Sequence, residues 1–292
     1  DAVELMSIGW QYNREHLDPL QRSHHVIQNG GDQPNVVPSK ASIWFYLRHV
    51  TYPKIMELYE RANKIAEGAA LMSNTAVTKK ILGSAWPRHF NKVIAETMYQ
   101  NIVKVGLPTW SPEDNALAAG IQQEVKAPDD VKGLPTKLDT LEAPSLSFVS
   151  GGSDDIGDIS WKLPTVTLVY PSNIPGLPGH HWANAVSMAT PIAHKGVVAG
   201  AKVQAMTLLD LFLDTKTIDK AWDYFKNEQG MKQKYIPMVS ENDKPAIHLN
   251  NEIQNEYRES LKKYYYDETK YSSYLEQLGI KYPTVKAKTP EK

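Results

Sequence analysis

The sequence predicts an α/β protein in two parts: an α+β sandwich over residues 1–86, then part of a larger α/β layer over 87–292. Three observations carry that prediction. The first 86 residues read helix, strand, strand, helix and extended run, the order of a small sandwich short of one strand. A short β-branched run, "TVTLVYP" at 165–171, precedes a long apolar helix, the pattern of a buried strand covered by a helix. No internal repeat recurs along the 292 residues.

Each element has its own signal. "DAVELMSIGWQYNREHL" reads as an amphipathic helix from its second residue, with neither an initiator methionine nor a signal-peptide pattern, so the chain is expected to begin inside a domain. "RSHHVIQNGG" reads as a strand ending in a glycine turn. "KASIWFYLRH" alternates Ile43, Phe45 and Leu47 against Ser42, Trp44, Tyr46 and Arg48, so one face packs and the other stays available. In the segment from Thr51 to Met72, Thr51 is the expected N-cap and Pro53 lies in the first turn. Ile55, Leu58, Ala62, Ile65, Ala69 and Met72 follow at helical spacing. "TAVTKKILGSAW" is expected as a further extended run closing the sandwich near Pro87.

In the second part, Phe90, Ile94, Met98 and Ile102 mark a helix that Gly106 ends. "SPEDNALAAGIQQEV" opens another with an S-x-x-D capping box and proline at the first helical position. Residues 126–150, rich in Pro, Asp, Lys and Gly, read as a long surface connection. Thr190 caps the long helix, with Pro191 behind it, and Asn250–Leu278 reads as a charged, tyrosine-rich helix forming a solvated outer layer.

Composition narrows the function. The formal charge is −1, with 32 basic and 33 acidic residues mixed along the chain, which leaves no electrostatic footprint for nucleic acid or an anionic membrane. The expected partner is a small molecule or another protein subunit. With no cysteine there is no disulfide, thiolate zinc site or cysteine nucleophile, and cytoplasm is the expected compartment with periplasm as the alternative. The most apolar window, "GVVAGAKVQAMTLLDLFL", carries lysine and aspartate and falls short of the roughly 20 residues of a membrane span, so no bilayer crossing is expected.

None of the nine histidines forms an H-x-x-x-H pair, so a metal site would have to be assembled from distant segments. His180 and His181 in "GLPGHHWANA" fall on a loop or strand end, where α/β folds carry functional side chains; alternatively one imidazole simply packs beside Trp182. "SGGSDDIGDISW" sets Asp154, Asp155 and Asp158 around glycines, either at a pocket edge or as an acidic turn that satisfies its own backbone. "SHHVIQNGGDQPNVVP" combines strand histidines, a Gly-Gly turn and Asn35, and could aim an imidazole and an amide at a ligand or be a plain hairpin. Arg48 could offer a fork to a carboxylate. There is no G-x-S-x-G elbow, P-loop or G-x-G-x-x-G, which disfavours a serine hydrolase and a nucleotide enzyme.

Five stretches in order, "DAVELM…REH", "HHVIQNGGDQPNVVPSKASIWFYLR", "ELYERANKIAEGAALM", "GGSDDIGDISW" and "HHWANAVSMATPIAHKGVVAGAKV", closely resemble the metal-dependent amidohydrolases of the M20 peptidase family over most of residues 1–225. The resemblance implies a zinc-peptidase-like α/β catalytic domain binding two divalent metal ions, zinc with manganese as the alternative. It also implies an inserted lid domain that forms a homodimer interface. On that basis residues 1–86 are the lid, short of its first strand, and 87–292 are the C-terminal half of the catalytic domain. The H-x-D pair, bridging aspartate and adjacent glutamates of the family have no counterpart in this sequence. The resemblance assigns one metal ligand to His180, with His181 the alternative. It assigns His24, reaching into the partner's active site, to oxyanion stabilisation, Asn35 and Arg48 to substrate, and Asp155 to a supporting position near the site. The implied activity is hydrolysis of N-acyl or N-aroyl amino acids such as p-aminobenzoyl-glutamate; the alternative is a non-catalytic module that dimerises or binds a carboxylate.

Overall fold

A computed structural model describes residues 1–143, 152–231 and 233–289. The protein is mixed and helix-rich, with one small two-stranded sheet among the described residues. It divides into two compact units. The first comprises Asp1–His89, Ala143–Leu163 and Gln233–Ala246; the second comprises Phe90–Glu142, Pro164–Lys232 and Ile247–Lys292.

In the first unit, α1 (Ala2–Asn13) and α2 (Tyr52–Met72) pack on one face of an antiparallel hairpin made by β1 (Arg22–Asn29) and β2 (Ser42–Arg48). The register pairs His24 with Tyr46, His25 with Phe45 and Arg22 with Arg48. Alternation then sorts the side chains as the sequence predicts. Phe45 and Leu47 turn inward onto a core of Trp10, Leu58 and Ala62, joined by Leu17 and Ile65. Trp10 makes its burial tolerable by donating its indole N–H to Ser23 Oγ at 2.8 Å.

The start of α2 differs from expectation in one detail. Thr51 has the extended backbone of an N-cap, but its side chain makes no capping bond; instead its own N–H donates to His49 Nδ1 at 3.0 Å. The run 75–86 forms no assigned strand among the described residues, a correction to the expected closing strand. Its anchor is an aromatic cluster. Trp86, 3% exposed, stacks on Tyr52 at 4.3 Å between ring centroids and meets Trp161 and Tyr235 at 5.1 and 5.0 Å.

In the second unit, α3 (Lys92–Val105) ends at Gly106 with φ 71°, the left-handed stop that the sequence indicates. α4 (Pro112–Glu124) carries the complete capping box: Asp114 N–H donates to Ser111 Oγ at 3.2 Å, and Ser111 N–H donates to Asp114 Oδ2 at 2.8 Å. The core gathers Leu117, Ala118, Ile121, Leu134, Ile174, Ala183 and Ile192, drawing in α6 (Trp182–Met188) and the start of α7 (Pro191–Leu213). α3 is tied to α7 by Asn101 Nδ2, which donates to Asp210 Oδ2 at 2.7 Å and Thr207 Oγ1 at 3.2 Å. Asn91 ties it to α8 (Thr215–Tyr224) by donating to the Ala221 carbonyl at 2.9 Å.

Three expectations for this unit are corrected. "TVTLVYP" forms no assigned strand among the described residues; Asn91 N–H donates to the Thr165 carbonyl at 2.8 Å, and α7 lies against the far end of the run, where a Cβ added to Gly196 would fall 2.0 Å from the Pro171 carbonyl oxygen. The 126–143 part of the connection is more than surface, since Ala127 and Leu134 are buried and Gln122 holds the loop through the Val131, Gly133 and Pro175 carbonyls; 144–150 lies outside the described residues. The predicted tail helix is two pieces, α9 (Asn251–Lys262) and α10 (Tyr274–Gln277), split by a turn in which Asp267 accepts from Thr269. α9 is exposed throughout, as a solvated layer should be.

By length and composition, the 23-residue α7 is long and apolar enough to cross a membrane, about 34 Å at 1.5 Å per residue. It extends beyond the apolar window read from the sequence. Ile192, Ala193, Gly196, Ala199, Gly200, Val203 and Thr207 form its buried side.

Candidate functional site

The first unit carries four of the five sequence-derived site residues. The pleat of β1 separates its two histidines. His25 faces the core, with Nε2 2.7 Å from Ser7 Oγ and its ring stacked on Phe45 at 5.0 Å; His24 is exposed on the opposite face. That face also carries Trp44, Tyr46 and Arg48, with Arg48 Cζ 5.5 Å from the Tyr46 ring centroid and Trp44 edge-on to Tyr46 at 5.4 Å. His24 and Arg48 are therefore diagonal neighbours across the hairpin, the relationship through which long side chains on one sheet face can reach a common ligand.

Asn35 lies on the exposed loop between the strands, in a turn closed by Val36 N–H donating to the Gln33 carbonyl at 3.0 Å. Gly31 makes that loop compact: its φ of 115° is open to glycine, and a Cβ there would meet Pro38 Cγ at 3.2 Å.

Asp155 sits just before α5 (Ile156–Ser160), exposed, and its carboxylate makes no hydrogen bond among the described residues. Asp158, to which sequence reasoning gave no role of its own, holds two partners in this cluster. Its Oδ2 accepts from Trp86 N–H at 3.0 Å and its Oδ1 from the Tyr235 hydroxyl at 2.9 Å. Burial and this hydrogen bond push the Tyr235 hydroxyl up to about 12. Asp154 pairs with Arg88. No sequence signal linked Asp158 to Tyr235, because the partners are 77 positions apart.

The second unit carries the other histidine doublet, and it is also divided. His181 is the N-cap of α6: its Nδ1 accepts from Ala183 N–H at 3.3 Å, which requires that nitrogen unprotonated, and its ring lies against Trp182 at 5.2 Å. His180 is exposed and has φ 53°, in the left-handed region where a non-glycine residue costs of order 1 kcal/mol or more and where functional residues gather.

Among the described residues there is no group of three or more His, Cys, Asp or Glu side chains able to hold a metal ion. A catalytic zinc takes three protein ligands, so one imidazole at position 180 does not make a metal centre by itself. A groove of about 410 Å³ runs between the start of α7 and the C-terminal segment past Pro191, His194, Glu276, Lys281 and Tyr282. None of the sequence-derived site residues lines it.

Comparison with known proteins gives these positions a context. No family model matches. The chain is 35% identical over 240 residues to a p-aminobenzoyl-glutamate hydrolase subunit of Escherichia coli (strain K12), a match covering 74% of this chain and 49% of that protein. It is 24% identical over 229 residues to the Xaa-Arg dipeptidases of Homo sapiens and Mus musculus, covering 77% of this chain and 45% of each. The chain belongs to the M20-type amidohydrolases. It spans about half the length of the curated relatives that it matches.

Proposed function

We propose that the chain is part of a metal-dependent amidohydrolase that cleaves the amide bond of N-acyl or N-aroyl amino acids such as p-aminobenzoyl-glutamate. The relatives are named as hydrolases of this kind, and the similarity supports hydrolysis of acyl-amino acids as the reaction class. In this reading residues 1–86 are a lid that dimerises and 87–292 are half of the catalytic domain. Two divalent metal ions, zinc or manganese, are held mainly by residues outside this chain. His180 is the ligand that this chain contributes.

The observation that carries the reading is the matched division of the two histidine doublets. In each, one imidazole is committed to the fold, His25 to Ser7 and Phe45, His181 to the cap of α6, and its neighbour is presented to solvent. The exposed members are the two that the family resemblance assigns to chemistry. In the proposed roles His24 donates an N–H to the oxyanion as the amide carbon becomes tetrahedral, where a preorganised donor counts most. Asn35 bonds the substrate through its amide, and Arg48 forks onto its carboxylate. Asp155 supports the site from beside it. Because His24 acts across the dimer, turnover depends on dimerisation.

The test is hydrolysis of p-aminobenzoyl-glutamate by this chain completed with the remaining half of the relatives' sequence. His24→Ala is expected to keep the metal and lose turnover; His180→Ala is expected to lose metal by elemental analysis. Full activity in His24→Ala overturns the assignment. The single-imidazole donor set favours a second reading for the chain by itself, a non-catalytic module that dimerises or binds a carboxylate. Stoichiometric metal in the 292-residue polypeptide would exclude it.

A further inference from the structure

His49 follows the last residue of β2, and its side chain is only 5% exposed. Around the ring stand the end of β2, the first turn of α2, and the turn 18–21, which Gln21 N–H closes by donating to the Asp18 carbonyl at 2.9 Å. Nδ1 accepts from Thr51 N–H at 3.0 Å and lies 3.1 Å from Thr51 Oγ1. Accepting that bond fixes the tautomer, because the single N–H of a neutral imidazole must then sit on Nε2. Nε2 is buried and makes no hydrogen bond among the described residues; Asp18 Oδ1 stands 4.0 Å away, beyond bonding range.

The two ring nitrogens therefore favour opposite protonation states. In the neutral ring Nδ1 holds the Thr51 N–H, and the N–H on Nε2 is left unbonded. In the imidazolium Nε2 gains the Asp18 carboxylate as a charged partner, but Nδ1 becomes a donor facing another donor and must release Thr51. That release matters locally, because the Thr51 side chain makes no capping bond of its own. Burial opposes the charged ring most strongly and Lys54 adds to it, against the pull of Asp18 and of Glu57. Glu57 is itself engaged by Lys54 at 2.9 Å and Arg61 at 3.0 Å. The balance holds His49 below its usual 6.5, so the neutral ring is the state at neutral pH.

We propose that His49 is an acid-sensitive latch: neutral, it ties the start of α2 to the end of β2, and protonation turns it to Asp18 and frees the N-terminus of α2. Because the folded value lies below the ordinary one, the stabilisation is complete above about pH 6.5 and is lost as pH falls through the folded value. What the latch positions is the junction that follows Arg48. The device goes beyond the amidohydrolase reading and does not depend on it.

Hydrogen exchange of the 292-residue chain, corrected for the intrinsic pH dependence of the rate, reads the latch at the amides of Thr51 and Ile55, the latter bonded to the Thr51 carbonyl at 3.2 Å. Protection there is expected to fall about three- to tenfold between about pH 7.5 and about pH 5, the response to one proton taken up on opening. His49→Asn is the informative variant, since its Oδ1 accepts the same N–H two residues on, as in an Asx-turn, and does not titrate. Its protection should stay level over the same range. Asp18→Asn removes the charge that draws the imidazolium, while its Oδ1 still accepts from Leu20 N–H at 2.8 Å, and should move the loss to lower pH. The same fall in His49→Asn as in wild type, or a loss whose midpoint Asp18→Asn leaves in place, overturns the proposal. So does a neutral His49 ring protonated on Nδ1, read by nitrogen-15 NMR. Should His49→Asn fail to fold, the Asp18→Asn shift and the tautomer still decide.

Discussion

His25 Nε2 lies 2.7 Å from the hydroxyl oxygen of Ser7, joining the middle of β1 to α1, while the next residue along the strand, His24, faces solvent. One peptide unit thus separates a structural imidazole from an available one. His25→Ala removes a hydrogen bond and a stacked ring contact with Phe45 and should cost about 1–3 kcal/mol. His24→Ala should leave the midpoint of urea unfolding unchanged. Equal losses in the two variants would contradict the register.

Asp114 is fully buried at the start of α4, with Lys195 paired to its Oδ2 and the Tyr282 hydroxyl donating to its Oδ1 at 2.9 Å. Burial opposes ionisation, but the bonds from Lys195, Ser111 N–H and Tyr282 outweigh it and hold the carboxyl below its usual value of 3.8. A depressed folded value means that the stabilisation is complete above about pH 4 and is lost as pH falls through the folded value. The wild-type urea midpoint should therefore drop steeply on acidification below pH 4. Asp114→Asn should already be destabilised by about 2–3 kcal/mol at pH 7 and show a shallower acid limb. A parallel limb in the variant would place the acid sensitivity elsewhere.

That site also shows what sequence could and could not reveal. The capping box was legible because Ser111 and Asp114 are three residues apart, and the hairpin faces were legible because alternation at β2 is local. The docking of Tyr282 onto Asp114 spans 168 positions and leaves no periodic trace, so the residues after the outer-layer helix read as a tail. "TVTLVYP" and "TAVTKKILGSAW" have strand composition, but composition cannot say whether a neighbour exists to complete the ladder. The histidine doublets could be located from sequence. Which member of each is occupied depends on Ser7, Phe45 and the Ala183 N–H, contacts that local pattern does not fix.

Tyr235 joins the segment 233–246 to the aromatic cluster around Trp86. Burial first, then its bond to Asp158, raises its hydroxyl to about 12. Because the folded value lies above the usual 10, its stabilisation is present below pH 10 and disappears as pH rises toward 12. Tyr235→Phe should cost about 1–2 kcal/mol at neutral pH. Its deficit relative to wild type should shrink above pH 10, and the tyrosinate absorbance should show one fewer late-titrating group. A deficit that stays constant to pH 12 would mean that the hydroxyl titrates normally.

Gly196 is where α7 meets the extended segment before it. A Cβ at this position would lie 2.0 Å from the Pro171 carbonyl oxygen and 2.5 Å from Ser172 Cα, both backbone atoms that no side-chain rotation can clear. The substitution Gly196→Ala must therefore move the whole segment off the helix. In an exposed helix interior glycine is the weaker residue and alanine gains nearly 1 kcal/mol, so the sign of the effect is diagnostic. Here the expected outcome is a loss of about 3 kcal/mol or more. Gly68, in α2, meets nothing within 4 Å, and Gly68→Ala should be neutral or stabilising. Thermal unfolding of the two variants side by side reads the difference. If Gly196→Ala were as stable as wild type, residues 168–172 would not lie against α7.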